Sequence, residues 1–125
     1  MPLNHYVYIF RVKDIEQHQN RAEIKTDTML FVAIGIKHLE DAARVAKEEV
    51  EKGAQLIELC GAFGVSGTQN VIDSINNAVP VGNVQYSLSD SINYLSYLRG
   101  LRNRYEHIPI QHHQYLWRER QSLVR

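Results

Sequence analysis

Apolar residues along this chain fall into two kinds of pattern. Four short stretches predict strands: residues 6–12 are β-branched and aromatic, 29–36 form a continuous apolar run, 56–60 are apolar except for Glu58, and 81–86 follow Pro80. Their continuity, in place of strict alternation, predicts strands covered on both faces, as in a parallel sheet. Between the second and third runs, Leu39, Ala42, Ala43, Ala46 and Val50 recur at steps of three and four, predicting a helix with one apolar stripe and a charged opposite face. Glu40 and Asp41 at its start and Lys52 at its end suit the helix dipole, and Gly53 is the residue type that ends helices. Val71, Ile72, Ile75 and Val79 predict a second helix over residues 67–76, with Ser66 and Gln69 as a capping box. A weaker helical pattern spans residues 15–24, where Asp14 is placed to cap and Ile15, His18 and Ala22 share a face.

The order β-α-β-α-β-α-β predicts an α/β fold: a small, mainly parallel sheet of about four strands with helices packed on it, over residues 1–86. Residues 87–125 read as a helical C-terminal extension. Leu88, Ile92, Leu95, Leu98 and Leu101 make one amphipathic helix carrying Tyr94 and Tyr97. Pro109 interrupts, and Ile110, His113, Leu116 or Trp117, and Leu123 or Val124 suggest a second helix. This apolar stripe exceeds what a domain of that size needs to cover its own core, so a homodimer formed through the extension is expected. The alternative is that the extension wraps back over its own sheet.

Composition narrows the class. With 125 residues, 44% hydrophobic and 22% charged, the chain matches one soluble globular domain. A single cysteine, Cys60, rules out an internal disulfide. The 14 basic and 14 acidic residues cancel, so no global field draws nucleic acid or an anionic membrane. The longest apolar run is eight residues, against roughly 20 for a bilayer span. A cytoplasmic protein without nucleic-acid or membrane partners is expected. The balance is uneven along the chain: residues 88–125 hold six Lys or Arg against three Asp or Glu. Arg99, Arg102, Arg104, Arg118 and Arg120 there could contact nucleic acid, but their apolar stripe reads better as a packing surface beside a solvated face.

Candidate chemistry concentrates at residues 57–67, a buried-type strand running into a glycine-rich turn and then a helix. Ligands of open α/β sheets sit at such carboxyl ends, where helix N-termini offer free N–H groups to anions. The G-x-x-G-x-x-G spacing of Gly61, Gly64 and Gly67 is neither a dinucleotide fingerprint nor a phosphate loop. Gly61, Phe63, Gly64, Ser66 and Gly67 are therefore candidates for binding a small anion or carboxylate, against the reading that the glycines serve tight turning and close packing alone. Glu58 and Cys60 share one side of the strand. Glu58 is a candidate general acid or base, or else pairs with Lys37 or His38. Cys60 is a candidate nucleophile, or a buried thiol of the ordinary kind. His38, on the same rim, is a candidate ligand contact or a surface residue. Six histidines without metal-ligand spacing suggest no metal site, and no cofactor is expected.

The block Gly53-Ala54-Gln55-Leu56-Ile57-Glu58-Leu59-Cys60-Gly61-Ala62-Phe63-Gly64, with Val79-Pro80-Val81-Gly82-Asn83-Val84 after it and Val32-Ala33-Ile34-Gly35-Ile36-Lys37 before it, resembles the core of a family of small proteins known only as a domain of unknown function. The similarity spans about residues 6–86, and E-L-C-G-x-F-G is its specific part. It implies a small α/β domain, marks Glu58, Cys60, Gly61, Phe63 and Gly64 as characteristic, and supplies no reaction. Together these readings give a protein binding a small anionic or carbonyl metabolite at the Gly61–Gly67 loop, with Glu58 as acid or base. The rival is a non-enzymatic oligomerisation or interaction domain in which the motif is structural, and a half-barrel closed by a second copy would merge the two.

Overall fold

The computed structural model describes residues 2–14 and 20–98. Its elements are β1 (His5–Arg11), β2 (Asn20–Lys25), β3 (Leu30–Ile36), α1 (Asp41–Glu51), β4 (Leu56–Leu59), a 3-10 turn (Gly61–Phe63), α2 (Gly64–Ser74), β5 (Val81–Asn83) and α3 (Leu88–Leu98). The chain divides into two units, Met1–Gln85 and Tyr86–Arg125. In the first, one sheet runs β2-β3-β1-β4-β5. The strands β3, β1, β4 and β5 are parallel, and β2 is an antiparallel edge on β3.

Alternation across the pleat builds the core. Val7 and Ile9 of β1, Val32 and Ile34 of β3, and Ile57 and Leu59 of β4 are fully buried, together with Ala42, Val45 and Ala46 of α1 and Val71 of α2. The crossovers β3-α1-β4 and β4-α2-β5 step the same way across the sheet. With the right-handed connection that parallel strands adopt, both helices fall on one face, where they pack against each other. The expectation of strands covered on both faces is thus corrected within this unit. The second face reads as apolar because it is aromatic: Tyr6, Tyr8 and Phe10 of β1 and Phe31 of β3 occupy the alternate positions and are half-buried.

Residues 20–25 are a strand, not the end of a helix, so the predicted order becomes β-β-β-α-β-α-β; residues 15–19 of the weak pattern lie outside those described. The strand was hidden because all six of its residues are exposed, leaving a polar edge with little apolar alternation. What ties it to the body beyond its ladder is charge. Arg21 donates from Nη1 to Oε1 of Glu49 at 2.5 Å, and Lys52 donates to the same oxygen at 2.9 Å. Glu49 lies on the buried side of α1 with no exposure at all, and its Oε2 has no hydrogen-bond partner among the described residues.

Helix α1 ends as expected, with Gly53 at φ +100° just past it, a left-handed position that favours glycine. Helix α2 begins three residues earlier than predicted. Its N-cap is Phe63, with no side-chain cap bond, so Ser66 and Gln69 form no capping box; Gln69 instead donates to Asp73 one turn on at 2.8 Å. The start is fixed by Gly64, whose φ of +59° and ψ of −166° form a combination nearly confined to glycine.

In the second unit, Leu88, Ile92 and Leu95 of α3 are 89%, 71% and 48% exposed, and the rings of Tyr86 and Tyr94 stack with centroids 4.5 Å apart. Leu101, Pro109, the second predicted helix and the tail arginines lie outside the described residues.

Burial pushes the Glu49 carboxyl up, but the hydrogen bonds and charges of Arg21 and Lys52 outweigh it and hold the group below the usual carboxylate range. A depressed folded-state value contributes stability above the unfolded value of about 4.3, and that contribution is lost as pH falls through the lower folded value. Glu49→Gln is therefore expected to lower stability at neutral pH by about 1.5–3 kcal/mol, the range for hydrogen bonds to charged groups. Urea unfolding at successively lower pH should show the gap between variant and natural protein closing as Glu49 protonates.

Candidate functional site

Strand β4 carries Glu58 onto the aromatic face, because Ile57 and Leu59 on either side of it are fully buried in the core. On one flank Glu58 is in register with Tyr8 of β1, and on the other with Gly82 of β5. Tyr6, one step along the same face, donates its phenol to Glu58 Oε2 at 2.5 Å. Tyr6 also meets Phe31 at 5.0 Å between ring centroids, and Tyr8 stacks on Phe10 at 5.9 Å. A carboxylate held by a phenol thus stands at the border of an aromatic cluster.

The phenol is tuned by this setting. Burial raises the Tyr6 pKa above its ordinary value, and the hydrogen bond to Glu58 and the charge of Glu58 raise it further. Tyr6 therefore stays protonated and acts as a donor to Glu58 across the physiological range. The Gly82 flank is open. A Cβ built at Gly82 would meet no atom within 4 Å, although cross-strand neighbours stand only about 5 Å apart. The glycine leaves a gap beside the carboxylate.

The other candidate residues divide between the rim and the core. Gly61 and Ser66 are exposed, Gly64 and Gly67 half-buried, and Phe63 only 4% exposed within the core. A Cβ at Gly67 would come within 3.2 Å of Phe63 Cβ, so this glycine admits the Phe63 side chain. Cys60 packs against the core, and its Sγ accepts the Arg11 N–H at 3.4 Å. His38 is exposed, and its carbonyl accepts the Asp41 N–H at 3.0 Å at the start of α1. The loops holding His38 and Gly61 follow parallel strands at the same edge of the sheet, with β1 between them. Glu58 is engaged by Tyr6, in place of the Lys37 or His38 partner that the sequence offers.

Tyr6, Tyr8 and Gly82 are the site residues that sequence reasoning passes over. The signal for the tyrosines is present: in residues 5–10 every second residue is aromatic, which marks one face of a strand. Among the described residues, no three His, Cys, Asp or Glu side chains are grouped to hold a metal ion, and no helix is long and apolar enough to cross a membrane.

In the first unit, a mostly parallel sheet with α1 and α2 on one face and an aromatic, carboxylate-bearing second face defines a small α/β domain. The chain belongs to a family of unknown function, DUF6506, whose model matches residues 4–98. The match takes in α3 as well as the sheet, and so reaches further than the resemblance over residues 6–86 implies. No curated protein and no solved structure matches the chain.

Spectrophotometric titration of the phenols is expected to show one group ionising well above the ordinary value of about 10 and absent from Tyr6→Phe. In Glu58→Gln that group should move down towards the ordinary value without reaching it, since burial is the larger cause of the shift.

Proposed function

We propose that the protein binds a small carbonyl-containing acid on the aromatic face of its sheet, with Glu58 as the acid or base that exchanges a proton with it. The observation that carries this reading is the open flank at Gly82 beside a carboxylate whose other side is held by Tyr6. Tyr6 occupies Oε2 and leaves Oε1 as the oxygen that meets a ligand proton. An anionic ligand group would be repelled by Glu58 itself. It belongs instead at the Gly61–Gly67 turn, where the N-terminal turn of α2 favours negative charge. At about 3.3 Å per extended residue, that turn begins about 10 Å beyond Glu58, which limits the ligand to a few carbon atoms between its acidic and carbonyl ends.

4-Oxopentanoate, which has two methylene groups between its carboxylate and its carbonyl, is a suitable probe. Its titration into the ¹⁵N-labelled protein should shift the amides of residues 58–67 saturably at up to tens of millimolar, the range that helix-terminal contacts of about 0.3–2 kcal/mol can support. Gly82→Val should abolish those shifts by filling the gap, while leaving the far-UV circular dichroism unchanged. Silent amides in the natural protein, or shifts that survive in a folded Gly82→Val, would overturn the proposal.

A second reading, association between copies, is favoured by α3, where Leu88, Ile92 and Leu95 lie on one side of the helix and are exposed. A homodimer built on this stripe should appear in light scattering of the full chain and revert to monomer in the Leu88→Glu, Ile92→Glu double variant. A natural protein that is monomeric at the concentrations tested rejects it.

A further inference from the structure

Apart from the sheet face, the second unit holds a groove of about 350 Å³ lined by Tyr86, Asp90, Asn93, Tyr94 and Tyr97. Three of its five lining residues are phenols, one is a carboxylate, one an amide, and none is cationic. Helix geometry accounts for the grouping. Asp90, Asn93 or Tyr94, and Tyr97 follow one another at steps of three and four along α3, and so share a face, while Tyr86 folds against Tyr94 from just before the helix. From this groove we infer a binding site for a small quaternary ammonium compound, a trimethylammonium group on a short polar tail.

The chemistry of the lining selects that class. Ring faces carry the negative end of the aromatic quadrupole and attract cations within about 6 Å of the ring centroid. The Tyr86 and Tyr94 rings stack on one another with an interplanar angle of 17°, which covers one face of each and leaves the other to a cation; Tyr97 lines the groove beside them, and Asp90 supplies a carboxylate. A bare metal ion would need several oxygen ligands, whereas the groove has one carboxylate. A trimethylammonium group spreads its charge over methyl groups that can lie against rings, and it carries no N–H needing a hydrogen-bond acceptor. The volume falls at the lower end of the range for small-molecule sites, which suits a free metabolite of choline size. All five lining residues belong to the second unit.

The full-length protein, with its tyrosine rings ¹³C-labelled, is titrated with choline chloride at constant ionic strength, beside 3,3-dimethyl-1-butanol, the uncharged compound of the same shape. Choline is expected to shift the ring signals of Tyr86, Tyr94 and Tyr97 saturably, and the neutral isostere to leave them unmoved. Tyr94→Leu should weaken choline binding about two- to fivefold, the factor corresponding to one exposed cation–π contact, and Tyr94→Phe should retain it because the ring face remains. Asp90→Asn, an exposed substitution that keeps size and shape, should weaken it without altering the fold, and it decides the matter if Tyr94→Leu is unfolded. Equal binding of the isostere would show an apolar groove and overturn the inference, as would undiminished binding to Asp90→Asn. Phosphatidylcholine vesicles present the same group on a lipid. Ring shifts with vesicles and none with free choline would also overturn the assignment to a free compound.

Discussion

Everything in the first unit depends on the register of β1 between β3 and β4. This strand is paired on both sides, Val7 with Val32 and Ile57, Ile9 with Ile34 and Leu59. Val7 and Ile9 complete an apolar layer under α1 and α2, and the even-numbered residues set Tyr6, Tyr8 and Phe10 on the other face. A slip of one residue would send the tyrosines into the core and the aliphatics out. Burying two phenols without partners would cost several kcal/mol, so the register is strongly specified. The same constraint places Glu58: with Ile57 and Leu59 in the core, its carboxylate has to stand where Tyr6 can reach it.

How much of this is legible in the sequence differs from element to element for physical reasons. The three central strands and α1 are legible because their burial is large and their periodicity clear. The candidate stretch around Glu58 and the glycine turn is legible because a strand, a glycine run and a helix follow in order. The edge strand β2 is not, since its residues are exposed and it is held by an ion pair from Arg21 to Glu49, 28 positions further on. Glu49 itself hides among the other acids of α1; only its spacing of three from Ala46 and four from Val45, both fully buried, puts it on the inner stripe. The start of α2 is misread because a backbone conformation at Gly64, and not a side-chain cap, sets it. The Tyr6–Glu58 contact joins residues 52 positions apart, which local patterns do not encode, and the meaning of Gly82 emerges only once its strand is known to lie beside β4.

Two carboxylates, Glu49 and Glu58, differ in what holds them. Glu49 has no exposure and is held by two cations. Removing a partner from such a buried cluster destabilises the fold, because the remaining charge is left uncompensated. Locked ionised in this way, it has no role in taking up a proton near neutral pH. Glu58 is half-buried and meets a neutral phenol through one oxygen. A neutral donor fixes the direction of the carboxylate without tying its charge to a cation, and the bare Gly82 leaves one approach to it open. The difference arises from which face each residue occupies. The helix-covered face excludes water and therefore demands full ionic compensation, whereas on the aromatic face a neutral phenol suffices to orient the half-buried carboxylate. That separation, set by the pleat of β4 and the stripe of α1, is the physical basis for the structural role of Glu49 and for proposing the proton-exchanging role for Glu58.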